Sequence, residues 1–367
     1  MKNFFITLLF LMVFFYSPTV FAQTEVVNNP LKQETLEAVV SKVIEEKQIE
    51  VMQKKQLFQK LELEVTKGTF FGKKIIVENG NIPLANQQKY RIDDKVMVSM
   101  SKDINGKTNY FISDYVRRDS LIVLFFIFIM VTILIAKWRG LMSLVGMGIS
   151  FLVIFLFILP QISSGSNPVE IAILGSIVII PISFFLSHGF NKKTFVAIAG
   201  TLVALIITGI LSNIFVEAAH LTGFASEEAG FLQVVKQGSI NMKGLLLAGI
   251  IIGVLGVLDD ITISQSAIVF QLKEANNRLD IDELFKRAMS VGQDHISSMV
   301  NTLILVYTGA ALPLLLLFVN NPHPFSEVVN YEIIADEIIR TLVGSIGLVL
   351  SVPITTFIAT FVASRKK

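Results

Sequence analysis

The chain has 367 residues, of which 53% are hydrophobic and only 16% are charged, and its formal net charge is +2. Together with a mean hydropathy of +0.66, this composition lies far from that of soluble domains and predicts an integral membrane protein. The absence of cysteine from the sequence excludes disulfides, thiol catalysis and cysteine-ligated metals. The four histidines are scattered and match no metal-binding motif, and nothing in the sequence indicates a cofactor or a nucleic-acid partner.

The N-terminus has the pattern of a secretory signal peptide over residues 1–22. Lys2 precedes an apolar run at 4–15, and small residues precede the expected cleavage site after Ala22. We therefore expect the segment that follows to lie outside the cytoplasm. An uncleaved signal would become an extra helix with its N-terminus inside, and the next domain would still lie outside.

Residues 23–118 form the only stretch with the character of a soluble domain. Apolar and polar residues alternate at 61–65 and 95–99, and short β-prone runs occur at 74–78 and 110–115. Turns rich in glycine and asparagine separate these runs, so the pattern predicts a small extracytoplasmic β domain, an OB- or SH3-like barrel. Its predicted core consists of Leu57, Leu61, Leu63, Val65, Ile75, Val77, Val96 and Val98. A structural cap on the membrane part is its simplest role, while a ligand-binding role stays open.

Residues 119–367 have the pattern of an α-helical polytopic membrane domain embedded in a lipid bilayer. A helix needs about 20 apolar residues to span the hydrocarbon core, and the apolar runs predict about seven transmembrane helices. They lie near residues 120–137, 140–160, 169–187, 194–216, 244–266, 296–319 and 338–363.

The distribution of basic residues predicts the orientation of these spans in a bacterial cell membrane. If the β domain lies outside, the odd-numbered spans run inward and the C-terminus is cytoplasmic. The predicted cytoplasmic segments then hold most of the basic residues of this part of the chain: Lys137, Arg139, Lys192, Lys193, Lys273, Arg278, Lys286, Arg287, Arg365, Lys366 and Lys367. This bias agrees with the positive-inside rule, although Arg117 and Arg118 run against it.

Two connections between predicted spans have features of their own. Asp280 and Glu283 form a plausible capping box, and the apolar spacing that follows predicts a short amphipathic cytoplasmic helix before Gly292. That helix would lie either on acidic lipid head groups or on the inner face of the bundle. The external loop at 217–241 is long for a connector, and it would either be solvated or cover the mouth of a pathway.

Asp259 and Asp260 are adjacent carboxylates within an otherwise apolar run at 244–270 that carries no basic residue. A carboxylate at membrane depth costs several kcal/mol unless it is paired, hydrated or protonated, so such residues usually mark a route for an ion or a solute. Glycines precede them at positions 249, 253 and 256, a spacing that would let another helix approach closely or allow the helix to break.

Polar residues on the neighbouring predicted spans could complete a site with these two acids. Gln265 continues the polar stripe beyond Asp260, and Asp294 and Asn301 share a face at the start of the sixth span. Because the fifth span ends where the sixth begins, we expect these groups to meet at the same depth. They would suit a cation or proton held by carboxylates and neutral oxygen ligands. In the alternative interpretation, Asp259 and Asp260 cap the end of a shorter helix at the wet interface.

Leu-Asp-Asp at 258–260 and Asp-His at 294–295 are the most specific of the motifs by which the chain resembles the YibE/F-like family of bacterial multi-pass membrane proteins. The resemblance runs from about residue 36 to 363 and is carried by five segments, at residues 253–265, 292–302, 340–353, 72–79 and 91–98. At Ile92-Asp93-Asp94 the family pattern would have a glycine in the turn. The resemblance implies architecture and cellular location, but no catalytic or substrate-binding roles.

Three functional classes are consistent with the sequence. The first is a secondary transporter or channel-like protein for a cation or small solute, with Asp259, Asp260, Gln265, Asp294 and Asn301 as candidate ligands. The second is a non-transporting scaffold or assembly factor, and in either class a second copy of the chain or another membrane protein is an open partner. The third, an intramembrane aspartyl protease, is disfavoured because leucine stands before Asp259 where that class has glycine. No other enzyme motif is present, so we predict a protein that is not an enzyme.

Overall fold

The computed structural model describes residues 34–51, 54–81, 88–102, 108–319 and 323–365. The chain divides into two compact units, Met1–Met130 and Val131–Lys367. The predicted signal peptide lies outside the described residues.

The N-terminal unit contains a five-stranded antiparallel sheet with the strand order β3-β2-β1-β4-β5. The strands are β1 Glu34–Val51, β2 Lys54–Lys67, β3 Lys74–Asn79, β4 Lys95–Lys102 and β5 Thr108–Tyr115. β1 was not among the predicted runs, yet it is the central strand and pairs with both β2 and β4. β3 and β5 come into contact, but no ladder between them is seen in the described strands, so a closed barrel stays a prediction.

The core of the sheet confirms the alternating pattern, since every predicted core residue except the half-buried Leu57 is buried. Among the described residues of the N-terminal unit, Gln59 is the one buried polar side chain. Its amide donates to the carbonyl oxygen of Tyr90 at 2.9 Å and accepts from the Tyr90 backbone N–H at 2.9 Å. These two bonds fasten the segment before β4 to β2, and they satisfy polar groups that would otherwise be costly to bury.

The C-terminal part of the chain is helical, as predicted. The helices are α1 Arg118–Ser163, α2 Pro168–His188, α3 Lys192–Ala218, α4 Glu227–Val235, α5 Met242–Ala275, α6 Ile281–Ala310, α7 Leu312–Val319, α8 Phe325–Val328 and α9 Glu332–Ser364. Side chains of Asn167, Asn191, Asn241 and Asp280 cap the starts of α2, α3, α5 and α6. Such caps satisfy backbone donors that the first helical turn leaves free.

Five of the described helices are long and apolar enough to cross a membrane: α1, α2, α3, α5 and α9. The pair formed by α6 and α7 would be a sixth, although it is bent by 73°. The predicted spans at 120–137 and 140–160 both lie within α1, which has 46 residues and a non-helical backbone at Lys137, with φ 54° and ψ −133°.

The amphipathic segment predicted after Asp280 is the first part of α6 and does not form a separate helix. The predicted cap is present, because the Asp280 carboxylate accepts from the backbone N–H of Glu283 at 2.7 Å. Leu284 and Ala288 are buried in a cluster that includes Val269 of α5. This part of α6 therefore packs on the bundle, which was one of the two predicted alternatives.

Candidate functional site

Asp259 and Asp260 lie in the middle of α5. The helix is 34 residues long and continues to Ala275, about four turns beyond Asp260. The two carboxylates therefore do not cap the end of a shorter helix. Every described residue of α5 is helical, so the helix break that the glycines would allow is not present.

A cavity of about 360 Å³ opens beside the two aspartates. Two other helices contribute polar or charged side chains to its lining: Thr132, Arg139 and Ser143 from α1, and Ser183, Ser187 and His188 from α2. The cavity thus joins residues separated by more than a hundred positions in the sequence. Among the described residues, it brings two carboxylates, a guanidinium, an imidazole and several hydroxyls to one place between apolar helices.

The two carboxylates differ in their surroundings. Asp260 is exposed to the cavity, whereas Asp259 is half-buried and its Oδ1 is inaccessible, with no hydrogen-bond partner in the described part of the chain. The Thr262 hydroxyl bonds at 3.3 Å to the backbone carbonyl of Asp259, not to its carboxylate. A buried carboxylate oxygen without a partner is unfavourable unless a proton, a cation or water satisfies it.

Two basic side chains, Arg139 and His188, line the same cavity as these acids. Arg139 is exposed to it, and His188 lies close enough to Arg139, Lys193 and Asp260 to interact with them electrostatically. The site therefore carries charges of both signs, and a bound ion or solute would meet acidic groups on α5 and basic groups on α1 and α2.

Gln265, the third predicted site residue, lies in a separate buried junction. Its Nε2 donates to the backbone carbonyl of Ala288 at 2.9 Å and to the hydroxyl of Thr356 at 2.7 Å, so it joins α5 to α6 and α9. Its Oε1 is buried without a partner among the described residues. A Cβ at Gly292 would lie 2.9 Å from the Gln265 amide nitrogen, which shows how closely α6 packs here. Gln265 joins helices and does not line the cavity.

Asp294 and Asn301 are not brought to the cavity. Both side chains are exposed on α6, and neither belongs to the lining that contains Asp259 and Asp260. These two residues therefore do not share the cavity with Asp259 and Asp260, and the expectation that they lie at the same depth as the acids of α5 stays a prediction.

The glycines of α5 do not make the close contact with another helix that their spacing predicted. A Cβ added at Gly249, Gly253 or Gly256 would meet nothing within 4 Å, so none of the described helices packs closely against them. Close approaches occur elsewhere, at Gly200 of α3 and Gly347 of α9, which abut threonine side chains of the facing helices. Small residues do permit close helix packing in this bundle, but not on the glycine face of α5.

Arg139 and His188 are the residues that the sequence did not indicate as part of the site. The sequence assigns Arg139 only to the basic residues that orient the spans, and His188 is one of four scattered histidines. Their positions at the ends of apolar runs were visible in the sequence, but nothing in the sequence showed that these ends lie beside Asp259.

The fold and the cavity define a helical multi-pass membrane protein with a polar, charged cavity among its helices. The family model described as YibE/F-like protein matches residues 124–365, which is most of the chain, and the protein therefore belongs to the YibE/F-like family. No curated protein and no solved structure matches the chain.

Proposed function

We propose that the protein is a secondary transporter or channel-like protein for a cation or small solute, and that Asp259 and Asp260 contribute to its binding site. The observation that carries this proposal is the buried, unpartnered Oδ1 of Asp259 beside a cavity of about 360 Å³. A carboxylate kept at membrane depth without a protein partner is unfavourable for stability, and such residues commonly serve ion handling.

We include seven membrane spans in this proposal, because the geometry of α1 fits two spans better than one. A single helix of 46 residues would be about 69 Å long, more than twice the roughly 30 Å of the bilayer core. The irregular backbone at Lys137 divides α1 into two pieces. A Cβ on Gly140 would lie 2.5 Å from the carbonyl oxygen of Thr132, whereas in an unbroken helix residues 132 and 140 would be about 12 Å apart along the helix axis. This short distance supports a reversal of the chain at Lys137, and each of the two pieces would then be long enough to span.

In this arrangement the β domain lies outside the bacterial cell membrane and the C-terminus lies in the cytoplasm. The reversal at Lys137 then falls on the cytoplasmic side, where Arg139, His188 and Lys193 gather near the cavity. The positive-inside rule favours this orientation. The cavity would open toward the cytoplasm, with Asp259 at its inner wall.

The chemistry follows from the charges of the cavity. A proton or cation on Asp259 would neutralise the half-buried carboxylate, so the loaded and empty states would differ in charge within the membrane. Occupancy would be coupled to movement of the surrounding helices if the proton or cation binds one arrangement of those helices more tightly than another. Arg139 and His188 would hold the anionic part of a zwitterionic solute or adjust the affinity for a cation.

The proposal is tested by melting the detergent-purified protein against protons, metal ions and small solutes. A ligand that binds only the native state must raise the melting temperature. The wild type is compared with the Asp259→Asn, Asp260→Asn double variant, and Asp294→Asn serves as the matched control because its carboxylate is exposed and lies outside the cavity.

A shift that disappears in the double variant but persists in the control supports the proposal, and flux of that ligand into proteoliposomes then distinguishes transport from binding. If no ligand shifts any of the three proteins, or if flux is unchanged in the double variant, the proposal fails. The protein is then better explained as a scaffold or assembly factor.

A further inference from the structure

The outer face of α6 is polar over three turns. From residue 290 to residue 302, every exposed position except Val291 carries a polar side chain. These residues are Ser290, Gln293, Asp294, Ser297, Ser298, Asn301 and Thr302. We refer to them as the α6 polar stripe.

The stripe points away from the chain's own bundle. The opposite side of α6 is buried at Ala288, Gly292 and Leu303, which pack against α5 and α9. The hydroxyls of Ser297 and Thr302 donate hydrogen bonds to carbonyls of their own helix. The amide and carboxylate groups of Gln293, Asp294 and Asn301 have more hydrogen-bonding atoms than a backbone carbonyl of the same helix can satisfy. No described element of the chain covers them.

The depth of the stripe follows from contacts along α5. Gln265 bonds to the carbonyl of Ala288, and the next residue, Ser266, bonds to the carbonyl of Lys193. Ala288 on α6 and Lys193 at the start of α3 therefore lie at one depth, near the end of the apolar region. Asn301 is 13 residues further along α6, or about 20 Å, beyond the middle of a bilayer core of roughly 30 Å.

At that depth the stripe cannot face lipid without loss of stability. Hydrocarbon offers no hydrogen-bond partners, so amide and carboxylate groups are held there only against protein or water. The pattern of the stripe indicates what covers it. Ser290, Asp294, Ser297 and Asn301 are spaced by four, three and four residues, which is the spacing of a helix-pairing seam.

The stripe is complementary to itself. The amides of Gln293 and Asn301 each donate and accept, so the same residue in a second copy can satisfy them, and the serines allow the two backbones to approach. Two copies with the same orientation in a membrane, related by a twofold axis along the membrane normal, place identical residues at equal depth. Asp294 lies six residues beyond Ala288, about 9 Å along α6, so this arrangement requires water between the two carboxylates.

We infer that the α6 polar stripe is the contact surface for a second copy of this chain, so that the protein forms a symmetric dimer in the membrane through paired α6 helices. The unpacked glycine face of α5, at Gly249, Gly253 and Gly256, offers a further place where a neighbouring helix can approach. The inference does not depend on the proposed transport function, and either can fail without the other.

The absence of cysteine from the sequence makes this inference directly testable. Single-cysteine variants Asp294→Cys, Ser297→Cys and Asn301→Cys are oxidised in native membranes, where a disulfide can form only between two protein molecules. The matched control is Ile206→Cys. Ile206 is 13 residues beyond Lys193 on α3, at the depth of Asn301, and its side chain is 61% exposed but apolar.

We expect a reducible band at twice the chain mass for Ser297→Cys and Asn301→Cys, several times stronger than for Ile206→Cys. Adjacent positions on the buried side, such as Met299→Cys, should stay near the control level. The wild type in nanodiscs, weighed by mass photometry, should contain two chains. Equal bands at Ile206 and Asn301, bands that contain a different protein, or a wild type that weighs one chain would overturn the inference.

Discussion

The buried carboxylate of Asp259 leads to a prediction in which stability and function change in opposite directions. Asp259→Asn keeps the size of the side chain but removes the charge from a half-buried position whose Oδ1 has no partner among the described residues. We expect the variant to be more stable than the wild type at neutral pH and to lose ligand binding. Residues kept for function commonly reduce stability in this way.

The magnitude follows from the surroundings of the carboxylate. An unsatisfied buried polar group costs about 1–3 kcal/mol, and more if it is charged. The amide remains polar, so only part of that cost is recovered, and we expect a gain of about 1–2 kcal/mol. In a unit of this size, Val131–Lys367, each kcal/mol shifts the melting temperature by about 2–4 °C. The expected increase is therefore about 2–8 °C.

The assay is thermal unfolding of the detergent-purified protein, followed by circular dichroism at neutral pH, with Asp260→Asn as the control. This control removes the same charge from the adjacent, exposed position, so its stability should change less. If Asp259→Asn melts at or below the wild-type temperature, or if both variants shift equally, the carboxylate of Asp259 is either structural or well solvated. In either case the argument from its unsatisfied burial is wrong.

Three further predictions concern other parts of the chain. Gln265→Met should lower the stability of the membrane unit by about 1–2 kcal/mol, because two interhelical hydrogen bonds are lost while the side-chain volume is kept. A melting temperature unchanged from wild type would contradict this prediction. Asp93 occupies a tight turn with φ 72°, which a hydrogen bond from the Asp94 N–H to the Arg91 carbonyl closes. Asp93→Val should therefore destabilise the β unit by more than about 1 kcal/mol in denaturant titrations, whereas Asp93→Gly should not. Burial raises the pKa of Tyr90 from 10.0 to about 12, so folding favours the neutral form of its side chain. The free energy of unfolding of the β unit should therefore be unaffected below pH 10 and should fall by about 1.4 kcal/mol per pH unit between pH 10 and 12. Tyr90→Phe should flatten this slope.

The turn at Asp93 shows how far a family resemblance can be used without a structure. The family pattern placed a glycine in this turn, and the residue there has a positive φ, which L-amino acids other than Asp and Asn adopt with difficulty. The sequence thus indicated the backbone requirement. Only the structure shows that an aspartate meets this backbone requirement. It also shows that the Asp94 carboxylate accepts a hydrogen bond from the backbone N–H of Arg91 at 2.7 Å.

Local patterns predicted the interior of the β domain but not its central strand. Alternation of apolar residues depends only on neighbours in the chain, so Leu61, Leu63 and Val96 were correctly placed in the core. β1 was not predicted, because its run of glutamates and lysines has no clear strand signal. Pairing with β2 on one side and β4 on the other, both distant in sequence, makes it a strand.

The sequence by itself determined the membrane class of the protein, its family, the positions of the apolar helices and the presence of two acids among them. Only the tertiary structure decided which groups share a cavity with Asp259, and that Asp294 and Asn301 face outward. The physical reason lies in the bilayer. Hydropathy determines which segments enter the membrane. In a helix that is apolar on nearly every side, however, the sequence does not indicate which face contacts a neighbouring helix. That choice depends on close packing and on hydrogen bonds between residues far apart in the chain, such as those of Gln265.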